Sequence, residues 1–311
     1  MQQPAEMARV NTIGMRRPLE RLKERIIQGL LALSLLAVIL PVILILVLLL
    51  DKGLSAISWD FLTKDPIHGM TAGGIRPAIL GTIYLVMLTL LLAVPTGVLA
   101  AIYLTEYARQ NVVTRMIRLA IVNLAGVPSV VFGLFGLGLF VYMLNFGTSL
   151  LAGACTMAVL VLPLVITASE EALLTVPESF REASLALGAS KWQTVLRVVL
   201  PSALPGILTG VILAVGRAAG ETAPLLFTCV ALYLPSMHYM PTLREVPAYV
   251  HDSLMGQVMA LPYHLFTIAT QVPGAPREIQ WGTALVLLVL VLGMNLVAMV
   301  FRSHLRRGRK W

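Results

Sequence analysis

Charge is scarce in this chain of 311 residues. Only 12% of them are Asp, Glu, Lys or Arg, while 58% are hydrophobic and the mean hydropathy is +0.87. Soluble domains carry roughly 25% charged residues, so an ordinary soluble enzyme or binding module is excluded and an integral membrane protein is indicated. Cysteine is nearly absent: Cys155 and Cys229 lie 74 positions apart, with no CxxC partner or nearby His, and read as small apolar fillers. None of the five lysines follows a glycine, so the chain has no G-x4-G-K-[ST] loop to cradle a nucleotide's phosphates. His68, His238, His251, His264 and His304 are scattered without metal-ligand spacing. No Ser/His/Asp or paired metal-ligand pattern lies at membrane depth, so a membrane-embedded enzyme has no support. An A-x-A cleavage site is also missing after the first apolar run, Leu30–Leu50, which reads as a retained signal anchor.

What the chain has instead is apolar windows near the 20 residues needed to cross a bilayer. They fall at about 26–50, 78–104, 117–143, 150–174, 204–229 and 281–301. Pro41, Pro95, Pro128 and Pro163 lie inside them and are tolerated there more than in soluble helices. Six spans put both termini on one side of the membrane. Seventeen Lys and Arg fall in the N-terminal arm, the loop with Arg109, Arg115 and Arg118, the segment with Arg181, Lys191 and Arg197, and the tail. Five fall in the opposite loops: Lys52, Lys64, Arg76, Arg244 and Arg277. The positive-inside bias therefore predicts that both termini are cytoplasmic. The net charge of +8 is then a topology signal and not a nucleic-acid footprint.

The loop from about 230 to 280 is rich in Pro and aromatic residues. Short interfacial helices are predicted around His251–Ala260 and Leu265–Thr270, with Trp281 and the tyrosines at headgroup level.

One cytoplasmic segment breaks the greasy pattern: TVPESFREASLALGASKWQTVLRVVLPSALPGI, residues 175–207. It predicts two short helices joined at Gly188. Ser190 and Gln193 are spaced as a capping box. Trp192, Val195, Leu196, Val199 and Leu200 form an apolar face, with Lys191, Gln193, Thr194 and Arg197 between them. That face can pack on the protein's own spans and leave residues 178–190 for a partner. Glu182-Ala183-Ser184, then Gly188, Val198 and Leu200-Pro201, resembles the EAA-x3-G-x9-I-x-LP motif of bacterial ABC-importer permeases, with Ser184 and Val198 as conservative departures. The resemblance implies coupling helices that dock on a separate ATPase, with Glu182, Ala183, Gly188, Leu200 and Pro201 at or near that contact.

The fifth window holds a charged string, Gly216-Arg217-Ala218-Ala219-Gly220-Glu221-Thr222. A charge at mid-bilayer costs about 2.5–3.5 kcal/mol on insertion scales, so two of them need a reason. At i and i+4 they are placed to pair along one helix face. A bland reading makes them a self-neutralising pair that fixes a helix register. In the functional reading Arg217 presents a guanidinium fork to an oxyanion and Glu221 moderates its hold.

The string GRAAGETAPLLFT is similar to the fifth-span signature of phosphate-specific ABC permease subunits, closer to the PstA type than to its PstC-type partner. GGIRPAILGTIYL (73–85) and the run from 162 to 190 resemble the same subunits. The resemblance implies an all-α membrane protein with the six-helix, MetI-like permease fold, importing inorganic phosphate in the bacterial cytoplasmic membrane. It places Arg217, Glu221 and Thr222 on or near the substrate pathway. Partners implied are a homologous second permease, two ATPase subunits that bind ATP and Mg, an extracytoplasmic phosphate-binding protein and membrane lipid, with no cofactor in this chain. Glu170 and Glu171, expected at a solvated helix end near Arg181, are candidates for a cytoplasmic gate.

The organisation expected is a basic arm (1–25), a first span (26–50), an extracytoplasmic loop (51–77), a permease core (78–301) with its coupling loop at 175–203 and long loop at 230–280, and a basic tail (302–311). Rival readings are a permease for sulfate or molybdate, and an ATP-independent channel or secondary transporter.

Overall fold

The computed structural model describes residues 18–231 and 252–307. The chain divides into two units, Met1–Lys52 and Gly53–Trp311. The first contains almost all of helix α1 (Pro18–Gly53), whose described side chains from Ile26 to Leu50 are largely exposed apolar groups, as a helix facing hydrocarbon requires.

In the second unit, short α2 (Trp59–Thr63), capped by Ser58, leads to a two-residue antiparallel ladder of β1 (Pro66–Ile67) and β2 (Ala72–Gly73). Next comes α3 (Arg76–Ile102), extended by a π-helical turn at Tyr103–Tyr107. Helices α4 (Val112–Ala125) and α5 (Ser129–Gly136, continuing as a π segment Leu137–Met143) precede α6 (Leu150–Leu174). A hairpin of α7 (Glu178–Ala186) and α8 (Lys191–Thr194) passes through a π segment, Val195–Val199, into α9 (Leu200–Gly220). Short α10 (Ala223–Thr228), α11 (Leu261–Thr270) and α12 (Arg277–Arg307) complete the described elements.

Five helical stretches are long and apolar enough to cross a membrane, or six if α4 and α5 together form one broken span. The 117–143 window does not form one straight helix. Its two halves bend by 104° at Gly126–Pro128. Pro128 supplies no N–H to an α-turn, and its ring drives Val127 away from helical backbone. At 1.5 Å per residue neither half reaches the roughly 30 Å of a hydrocarbon core.

Helix α6 is the hub of the packing. Its buried residues share one apolar cluster with Leu85, Val86 and Ala93 of α3 and with Ala214, Val215, Ala218 and Ala219 of α9. Small side chains let these helices approach: Gly206 and Gly210 of α9 face Ala172 and Ala168 of α6, and a methyl group added at Gly206 would come 2.6 Å from Ala172 Cβ. That is the small-xxx-small pairing favoured where helices meet in lipid without a hydrophobic driving force.

The described part of the 230–280 segment departs from the interfacial expectation. Met259, Ala260, Leu261, Tyr263 and Ile268 are buried, and Leu261 N donates to Thr82 Oγ1 at 2.8 Å. Val258 N donates to Cys229 O, and Ala231 N donates to Val258 O. The segment therefore folds back into the bundle, because its apolar residues are better covered by α3 and α12 than by headgroups. Tyr233, Tyr239 and Tyr249 lie outside the described residues.

Candidate transport site and coupling surface

Helix α9 ends at Gly220, within the 204–229 window expected to be a single span. Glu221 is extended (φ −78°, ψ 137°), and Pro224 restarts the chain in the first turn of α10. Arg217 and Glu221 thus do not share a helix face. They meet across the break, with Nε 3.5 Å from Oε1. Glycine at the last turn and proline four residues on were the legible stop signals.

The break also sets the electrostatics. Arg217 stands in the last turn of α9, where a cation is favoured by the carbonyl end of the helix. The pair is partly exposed, at 34% and 22% of the two side chains. Among the described residues, Glu221 is the guanidinium's one ion-pair partner, and the contact is a single long one. Among the described residues its remaining N–H groups have no hydrogen-bond partner and can donate to an anion. Thr222, half-buried, lies between Glu221 and α10. On the preceding residue, Gly216 makes room for Asn295 of α12: a Cβ there would lie 3.2 Å from its Nδ2. Sequence reading missed Asn295, a lone amide in an apolar run.

The second candidate region is the α7–α8 hairpin. Gly188 adopts φ +83°, and Ser190 and Gln193 form a complete capping box: Gln193 N donates to Ser190 Oγ, and Ser190 N donates to Gln193 Oε1. The expected second short helix does not stop, however. It runs through Val195–Val199 into α9, giving one helical stretch from Lys191 to Gly220. Val195 and Val199 are buried, whereas Trp192 and Leu196 stay exposed. Leu200 packs into the molecule's own cluster with Ala203 and Ile207, and Pro201 follows it in the first turn of α9. On α7, Glu182 and Ala183 face out, followed by Leu185 and by Leu187, which is 90% exposed. Ser184 turns inward, its Oγ 2.9 Å from Thr194 Oγ1.

The expected surroundings of Arg181 are corrected by the structure. Glu170 is not a solvated neighbour of Arg181. Its carboxylate is mostly buried and lies 3.6 Å from Arg118 Nε of α4. Glu171 is exposed. Arg181 instead donates to Glu106, 75 residues away, through Nη2 (2.9 Å) and Nε (3.2 Å).

Solved structures of ABC transporters share this helical fold. The chain superposes on the crystal structure of a bacterial alginate ABC transporter in complex with alginate pentasaccharide-bound periplasmic protein. The TM-score is 0.62 at 13% identity, over 94% of this chain and 98% of that one. It also superposes on an inward-facing MetNI methionine ABC transporter (TM-score 0.51, 16% identity, 75% and 94% covered). Residues 93–311 match the family described as binding-protein-dependent transport system inner membrane component, and the chain belongs to that family. It is 32% identical to the phosphate transport system permease protein PstA 1 of Mycobacterium tuberculosis, over 100% of this chain and 96% of that one. Similar relatives are the probable ABC transporter permease protein YqgI of Bacillus subtilis (34%, 79% and 84% covered) and PstA of Haemophilus influenzae (32%, 84% and 86% covered).

Proposed function

We propose that this chain is a permease subunit of an ATP-driven importer for inorganic phosphate, with the Arg217–Glu221 break on the phosphate path. The break carries the reading. It is supported by a guanidinium at the end of a half-buried membrane helix, with donors unpartnered among the described residues, for which a tetrahedral oxyanion is the matching ligand. Glu221 keeps that cation from holding its anion too firmly, as a conducting path requires. The permease relatives named for phosphate support the same cargo.

The exposed edge of the hairpin, Glu182, Ala183, Leu185, Leu187 and Gly188, is the proposed seat of a separate ATPase that binds ATP and Mg. A second, homologous permease, a second ATPase copy and an extracytoplasmic phosphate-binding protein complete the assembly. With the hairpin facing the ATPase, both termini are cytoplasmic, in accord with the Lys/Arg bias. Closure of the ATPases moves the hairpin, and the spans tilt as units to open the path outward.

Arg217→Ala tests the reading. Uptake of labelled phosphate is expected to be abolished while the complex still assembles. Uptake at the native rate would remove Arg217 from the path, and uptake competed by sulfate or molybdate would transfer the reading to another oxyanion.

A further inference from the structure

The π-helical end of α3 collects cations from three separate elements. Arg118 of α4 donates to Leu104 O at 2.8 Å. Arg181 of α7 donates twice to Glu106. Lys191 of α8 sits 5.1 Å from the centre of the Tyr107 ring. The acceptors span four consecutive residues within the wide turn Tyr103–Tyr107. Helical π segments recur at functional sites because they interrupt the regular ladder.

The Glu106–Arg181 pair is the strongest of the three ties. Both side chains are nearly enclosed, at 9% and 12% exposure. Arg181 is also held within its own neighbourhood, donating to Val176 O at 2.6 Å and Leu173 O at 2.9 Å, with Glu178 at 3.4 Å. Those contacts fix the root of α7 to the end of α6. Among the described residues, Glu106 carries the arginine's grip to α3. Helix α3 in turn shares its core with Ala214, Ala218 and Ala219, within three residues of Arg217 on α9.

We propose that residues 103–107 are a relay between the hairpin and the transport path, with Glu106 and Arg181 as its positioning residues. The hairpin then has three routes into the membrane. Two are covalent, through Thr175–Pro177 to α6 and through Val195–Val199 into α9. The third runs through the Glu106 tie into α3, so that α3 and α9 move together when the hairpin is displaced. This inference rests on the proposed coupling role of the hairpin. It adds that a buried ion pair joining the EAA-like segment to α3 transmits that movement.

The experiment uses the whole assembled transporter in proteoliposomes. The unaltered complex first has to show ATP-driven phosphate uptake and ATP hydrolysis stimulated by the phosphate-binding protein, and failure at that step defeats the proposed function and not the relay. Glu106→Ala and Glu106→Gln are then compared with Glu106→Asp. The first two are expected to keep basal ATP hydrolysis within about twofold, lose its stimulation, and lower phosphate uptake at least tenfold per assembled complex. Glu106→Asp is expected to restore stimulation, since it keeps the charge. A merely structural role would lower complex yield and leave stimulation per complex intact. Normal stimulation and uptake in both Ala and Gln variants, or loss of assembly in both, overturns the relay.

Discussion

Arg217 and Glu221 meet across the end of a helix: α9 stops at Gly220, and the carboxylate returns from extended backbone to lie 3.5 Å from the guanidinium Nε. A pair locked along one helix face would be a fixed structural element. A pair closed across a helix break can open when an anion arrives, so on the proposed reading Glu221 competes with phosphate for the guanidinium. A partly exposed pair is worth about 1 kcal/mol, a roughly fivefold change in anion retention. Glu221→Gln is therefore expected to lower the KM for phosphate by about that factor and to lower the maximal uptake rate, because release slows. Initial uptake rates across phosphate concentrations check this, and a KM equal to that of the unaltered protein would exclude Glu221 as a moderator.

Gly188 is needed for its backbone and not for lack of space. Its φ is +83°, and a Cβ built there meets nothing within 4 Å. The cost of a side chain is therefore conformational, about 1–2 kcal/mol for an ordinary L-residue in the left-handed region. Asn tolerates that region and Val does not. Gly188→Asn is expected to retain the ATPase through purification, and Gly188→Val to lose most of it, since the turn sets how α7 is presented. Equal retention by both variants would show that the turn does not position the docking edge.

The hairpin was legible in the sequence because its signals are local. Gly188, Ser190 and Gln193 act within six residues, and each is realised in the structure. The two breaks were less legible. A hydropathy window averages over Pro128, and over Gly220–Pro224 where apolar neighbours outweigh Glu221 and Thr222, so it merges what backbone hydrogen bonding separates. Pro163 lies within α6 without ending it, so proline alone does not mark a break. Partnerships such as Glu106–Arg181 and Arg118–Glu170 join residues 75 and 52 apart and are set by how α3, α4 and α6 pack. The buried course of residues 258–268 was hidden for a related reason. Prolines and aromatics suit an interface, and only the groove beside Gly81 and Thr82 decides otherwise.

That buried course supplies a pH prediction. His264 of α11 lies outside the candidate spans and is 3% exposed, and among the described residues its Nδ1 has no hydrogen-bond partner. Burial pushes its pKa down from 6.5 to about 4. The unfolded chain then binds a proton more readily than the folded one between those values. Folding is therefore favoured fully above pH 6.5 and loses stability as pH falls toward 4, with no further loss from this group below that. The drop is on the order of 3 kcal/mol at most, from 1.36 kcal/mol per pKa unit. Thermal unfolding in detergent between pH 7.5 and 4.5 measures it. His264→Leu, which cannot take up the proton, is expected to show a shallower fall in Tm on acidification, and parallel curves for the two proteins would exclude His264 as the source.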